Sequence, residues 1–188
     1  MGTTHNFDNP AASTLSDTDT YPSISATTSR GATVTAQQMR AQMAGGIVTL
    51  TGDTTITAAS HAGKTMLLGE VGGNAALAVT LPAATGTGNR YRFVVSVVNT
   101  SNYVIKVVGN DIFSGNIITN STGDTPDLAQ PWPTAADSDT ITLNGTDQGG
   151  AKIGDFIEVQ DILADTWALY GVTTSSGTEA TPYTAAQS

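Results

Sequence analysis

The chain is 188 residues long, enough for one domain of ordinary size, with 39% hydrophobic residues, only 12% charged residues and a formal net charge of −9. The few basic residues are scattered rather than clustered as phosphate contacts require, so no nucleic-acid partner is expected. No apolar run approaches the ~18 residues of a membrane span, so no membrane is expected either, and the lack of cysteine excludes disulfides, thiol nucleophiles and thiolate metal sites.

Ser and Thr make up about a quarter of the chain, and Thr suits a pleated, half-wet surface. The bias points to an all-β protein with a neutral, hydroxylated exterior. The opening residues, MGTTHNFDNP, hold neither a basic n-region nor an apolar h-region, and no cleaved signal peptide is expected. Residues 1–33 carry only isolated large apolar side chains, Phe7, Leu15, Tyr21 and Ile24, without a period of 2 or 3.6. The segment reads either as a disordered tail or as an extended arm laid on another subunit with those residues as pegs.

Thr35 with Gln38 forms a capping-box pattern, and good helix formers follow as far as Gly45-Gly46, predicting a short helix over 35–44. From Ile47 onward the chain reads as strands and turns. Residues 47–50 and 54–58 look like a hairpin about Gly52-Asp53, and a strand follows from Lys64 to Val71. Leu77, Val79 and Leu81 alternate with small or polar residues, as do Tyr91, Phe93, Val95 and Val97, so each set predicts one buried face. Between them, VTLPAATGTGNRYRFVV holds a fragment of a Gly-rich loop without the Lys-Ser/Thr or the helix of a phosphate cradle, and reads as a hairpin connection. Asn99 to Asn102 form a polar turn, with a return strand over 103–108. Residues 119–138 contain Pro126, Pro131 and Pro133 and are expected to form a long loop, because no central strand tolerates them. Trp132 in that loop either plugs its own domain or meets a neighbour. Strands resume over 140–143, 155–162 and 166–172, and strand spacing of about 8–12 residues is that of a sandwich or barrel.

Chemistry is sparse. His5 and His61 have no metal-ligand spacing, and no Gly-x-Ser-x-Gly elbow accompanies His61. The carboxylates Asp137 with Asp139, Asp17 with Asp19, and Asp155, Glu158, Asp161 and Asp165 offer oxygen ligands for calcium, but none has the spacing of a calcium loop, and turn aspartates also bond local backbone. No catalytic residue, metal or cofactor is therefore assigned, and the chain is not expected to be an enzyme.

Three stretches carry a resemblance. They are Val79-Thr80-Leu81-Pro82-Ala83-Ala84 leading to Gly88-Asn89-Arg90-Tyr91; Gly154-Asp155-Phe156-Ile157-Glu158-Val159 with Trp167; and the run from Gly171 through Ser175-Ser176-Gly177-Thr178-Glu179-Ala180-Thr181-Pro182-Tyr183. Over about residues 75–183 the chain resembles tailed-phage virion proteins, especially head decoration (cement) proteins and head or tail fibres. The expected fold is an all-β body, a β-sandwich or jelly roll over 34–188, in keeping with the resemblance; residues 1–33 lie outside it and are expected to form an extended arm. The resemblance implies a role on the capsid exterior, stabilising the shell of the major capsid protein, with self-association as a homotrimer. The expected contacts to capsid or sister subunits are Phe7, Leu15, Tyr21, Ile24, Trp132, Arg90 and Arg92. The rival reading is a receptor- or glycan-binding fibre module.

Overall fold

The computed structural model describes residues 20–24, 31–35, 45–70, 76–98, 100–123 and 129–185. The chain divides into two units, Met1–Gly45 and Gly46–Ser188. In the first unit, β1 (Thr20–Ile24) pairs antiparallel with β2 (Gly31–Thr35), Tyr21 lying opposite Val34 and Ile24 opposite Gly31. Of the residues read as an arm, 20–24 form a strand with a return strand beside it. The helix expected over 35–44 lies outside the described residues apart from Thr35, which ends β2.

The second unit is all-β and sandwich-like. A seven-stranded sheet has the order β10 (Ala129–Pro133), β9 (Ile112–Ser121), β13 (Thr166–Ser175), β12 (Phe156–Leu163), β7 (Arg90–Val95), β5 (Thr65–Leu68), β3 (Ile47–Leu50). A five-stranded sheet has the order β14 (Tyr183–Thr184), β11 (Thr140–Leu143), β8 (Tyr103–Lys106), β6 (Leu77–Thr80), β4 (Thr54–Thr55). The inward faces of this large and this small sheet share one hydrophobic core.

The chain enters this sandwich as a coil. From β3 to β8 successive strands alternate between the large and the small sheet. In the large sheet β3, β5 and β7 stack in parallel, with Ile47 opposite Thr65 and Thr65 opposite Arg92. In the small sheet β4, β6 and β8 do the same, with Thr54 opposite Val79 and Val79 opposite Ile105. Each turn of the coil thus gives one strand to each sheet. After β8 the pairing becomes mostly antiparallel: β12 runs against both β7 and β13, and β10 runs against β9.

This arrangement corrects several sequence expectations. Residues 47–50 and 54–58 are not a hairpin, because β3 and β4 join different sheets. For the same reason residues 81–89 are a crossover between sheets rather than a hairpin turn, and β7 and β8 likewise belong to different sheets. Residues 58–61 form a single helical turn, α1 (Ala58–His61), beginning at the residue where a strand was expected to end. Span 119–138 is not one loop: β9 runs through Ser121, and Ala129–Pro133 is a strand despite two prolines. An edge strand has a ladder on one side only, so a missing N–H is tolerated there.

Alternation did place the core. Tyr91, Phe93 and Val95 point inward and are buried, as are Leu77, Val79 and Leu81. Val97 does not continue the pattern and is 45% exposed, because the strand stops where the Ser96 hydroxyl and amide both bond the Leu68 carbonyl. Trp167, Tyr91, Tyr103, Phe93 and Phe113 are the largest fully buried side chains. Each stabilises the body by about 2–3 kcal/mol of apolar burial, and Trp167 meets the Tyr91 ring with centroids 5.7 Å apart.

Candidate binding face of the large sheet

Position along each strand decides what faces outward. On β12 the residues Ile157, Val159 and Asp161 point into the core, leaving Phe156, Glu158 and Gln160 on the outer face. Register carries this face across the sheet. Leu67, Val94, Phe156, Val172, Ile118 and Pro131 lie side by side on consecutive strands. They form an apolar row whose strand-interior members are all partly exposed.

The neighbouring row is polar and aromatic: Thr65, Arg92, Glu158, Tyr170 and Asn116. The Arg92 guanidinium sits over the Phe156 ring at 4.0 Å from its centroid, and its Nη1 is 3.7 Å from Glu158 Oε2. Phe156 meets Tyr170 edge-on at 6.0 Å, and Tyr170 is 52% exposed. Arg92 is therefore held in one orientation by a ring and a carboxylate, which lowers the entropy lost when a partner engages it.

Two shallow hollows flank Glu158. One, of roughly 200 Å³, is lined by Gly63, Lys64, Thr65, Arg90, Arg92 and Glu158. The other, of roughly 140 Å³, is lined by Glu158, Gln160, Ala168 and Tyr170. Of the described basic residues (Lys64, Arg90, Arg92, Lys106 and Lys152), three surround the first hollow. The face thus concentrates positive charge on a protein whose net charge is −9, and it suits a partner surface carrying carboxylates beside apolar side chains.

Inward-facing aspartates fix the loops around this sheet. Asp161 Oδ1 accepts the Thr85 and Gly86 amides at 2.9 and 2.6 Å, and Oδ2 accepts the Thr87 amide and hydroxyl at 3.0 and 2.6 Å. Burial opposes ionisation of Asp161, yet the bonds from Thr87, Gly86 and Thr85 outweigh it and hold the carboxyl below the usual range. The Gly-rich segment is a cradle of donors after all, and its anion is the protein's own aspartate. Gly86 takes a φ of 77° there, which a side chain would strain.

Asp155 gathers the amides of Gly150 and Thr174 and the Thr174 hydroxyl at 3.1, 2.7 and 3.0 Å. Burial pushes its carboxyl up despite those bonds. Asp111 accepts the Ala84 amide at 2.7 Å and the Trp167 indole N–H at 3.4 Å. The carboxylates weighed as calcium ligands are thus turned to different faces: Asp155 and Asp161 inward, Glu158 outward. Among the described residues no group of three His, Asp or Glu side chains is placed to hold a metal ion. His61 accepts the Thr57 amide on Nδ1 at 3.0 Å, across its own helical turn.

Of the expected contact residues, Arg90 and Arg92 lie together on the outer face. Trp132, on β10, is partly buried against the core, and its carbonyl accepts the Tyr183 hydroxyl at 3.0 Å. Tyr21 and Ile24 lie in the separate β1–β2 ribbon, and Phe7 and Leu15 fall outside the described residues. The sequence reading missed Phe156, Tyr170 and Lys64 as members of one surface. Comparison with protein-family models, with curated proteins and with solved structures finds no match.

Proposed function

We propose that the chain is a structural protein of a tailed-phage virion, a decoration or cement protein that lies on the outside of the major capsid protein shell and stabilises it. The outer face of the large sheet carries this reading. It offers a broad apolar row, a preorganised Arg92 and a rim of cations, which suits adhesion to a large protein surface. The partners are the major capsid protein and further copies of the chain, associated as a homotrimer, with residues 1–33 extending the contact. Many weak contacts repeated over a shell add up to tight attachment.

The test is co-sedimentation of the full chain with bare shells. Arg92→Ala with Tyr170→Ala should lower shell affinity at least tenfold, and removal of residues 1–33 should lower it further, with the fold unchanged by circular dichroism. Shell binding that neither change affects would refute the proposed contact surfaces.

A fibre module that binds a receptor or glycan is the second reading. The exposed Tyr170 beside Phe156 favours it, since flat aromatic faces stack on sugar rings. A glycan array without signal at high protein concentration would count against it.

A further inference from the structure

Each sheet of the body ends on two edges, and three of the four are guarded. β10 carries Pro131 and Pro133, while β4 and β14 are only two residues long. Prolines and very short strands are the usual means of stopping one sheet from adding to another. β3, with the sequence Ile47-Val48-Thr49-Leu50, has neither proline nor charge and is four residues long. It is also the start of the parallel coil, and the open end of a stacked coil needs a cap.

The backbone of β3 is poised to pair. The Thr65 amide donates to the Gly46 carbonyl at 3.0 Å, and Ile47 lies opposite Thr65 in parallel register. Alternation in such a ladder turns the N–H and C=O of Val48 toward β5 and those of Ile47 and Thr49 away from it. Among the described residues nothing bonds these outward groups. Ile47 is 70% exposed, and Thr49 is exposed as well.

We propose that β3 is a self-association edge, pairing antiparallel with β3 of a second copy about a two-fold axis. The pattern is self-complementary. With Val48 opposite Val48 on the axis, each Ile47 exchanges backbone bonds with Thr49 of the second copy, and only outward-facing groups are used. The choice of a second copy follows from charge. Each chain carries a net charge of −9, so copies repel over most of their surface, and an uncharged edge lets them meet without opposed carboxylates. This two-fold contact joins copies in pairs, is distinct from the three-fold association of the capsid reading, and would form whether or not the copies sit on a shell.

The chain has no cysteine, so Val48→Cys provides a clean probe. An antiparallel pair of this non-hydrogen-bonded kind brings Cα atoms to about 4.5 Å, within disulfide range. Mild oxidation of the full-length variant should convert most of it to a reducible dimer. Adding Thr49→Pro removes an outward amide that β5 does not use. It should cut cross-linking, and association measured by sedimentation of the otherwise unaltered chain, by roughly tenfold or more, while the melting of the body stays unchanged.

A Val48→Cys chain that stays monomeric, or a Thr49→Pro change without effect, overturns the proposal. If Val48→Cys does not fold, sedimentation of the unaltered chain against Thr49→Pro decides: equal association, including none in either, overturns it. A monomeric chain that loses shell binding on Thr49→Pro also overturns the second copy, in favour of a strand donated by the shell.

Discussion

Replacing Asp161 with alanine removes the acceptor that holds the crossover between β6 and β7. The carboxylate takes four hydrogen bonds, three from consecutive amides and one from the Thr87 hydroxyl. A hydrogen bond to a charged group contributes about 1.5–3 kcal/mol, but bonds that share one carboxylate are not additive. The donors belong to exposed residues, so water satisfies them once the acceptor is gone. The expected loss is therefore about 2–4 kcal/mol, a fall of roughly 5–15 °C in Tm for a body of this size. Thermal unfolding followed by circular dichroism measures it, and hydrogen exchange should show the Thr85, Gly86 and Thr87 amides losing protection first. Thr87→Val, which removes the hydroxyl bond to Asp161 and the longer one accepted from the Asn89 amide, should cost about 1 kcal/mol. An Asp161→Ala chain within about 0.5 kcal/mol of the parent, with those amides still protected, would refute the clamp.

Further outcomes follow from the same geometry. The Asp161 carboxyl is held below its unfolded value of about 3.9, so its contribution is complete above that pH and disappears as pH falls through the lower folded value. The stability gap between the parent and Asp161→Asn should accordingly be widest above the unfolded value and shrink as acid titration passes through the lower folded value. Gly115→Ala would place a Cβ 1.9 Å from the Leu169 carbonyl oxygen, between the paired strands β9 and β13. It should cost roughly 3 kcal/mol or more by denaturant titration. Thr119 and Thr173 share a buried hydroxyl bond of 2.9 Å. Thr173→Val strands the Thr119 hydroxyl and should cost about 1–2 kcal/mol, and adding Thr119→Val should restore part of that loss.

The sequence exposed what depends on neighbours along the chain and hid what depends on pairing across it. Tyr91, Phe93 and Val95 announced a buried face because strand side chains alternate. The sheet each strand joins could not be read, since the turn residues of a sheet-to-sheet crossover, such as Pro82, Gly86 and Gly88, are also those of a hairpin. β10 was hidden by its prolines, which exclude a central strand but not an edge. The outer face needed the register of β12 against β7 and β13, which alone sets Phe156 between Val94 and Val172. Asp161 did leave a trace: it falls on the buried alternation of Ile157 and Val159. A carboxylate in that position implies waiting donors, and the donor-rich Ala84-Thr85-Gly86-Thr87 segment was in plain view.

A reconstruction of the intact virus particle tests the central proposal most directly. It should show the body on the outer surface of the shell, with Arg92, Phe156 and Tyr170 of the large sheet turned toward the capsid lattice. A particle in which the chain is absent, sits only on the tail, or turns that face to solvent would contradict it.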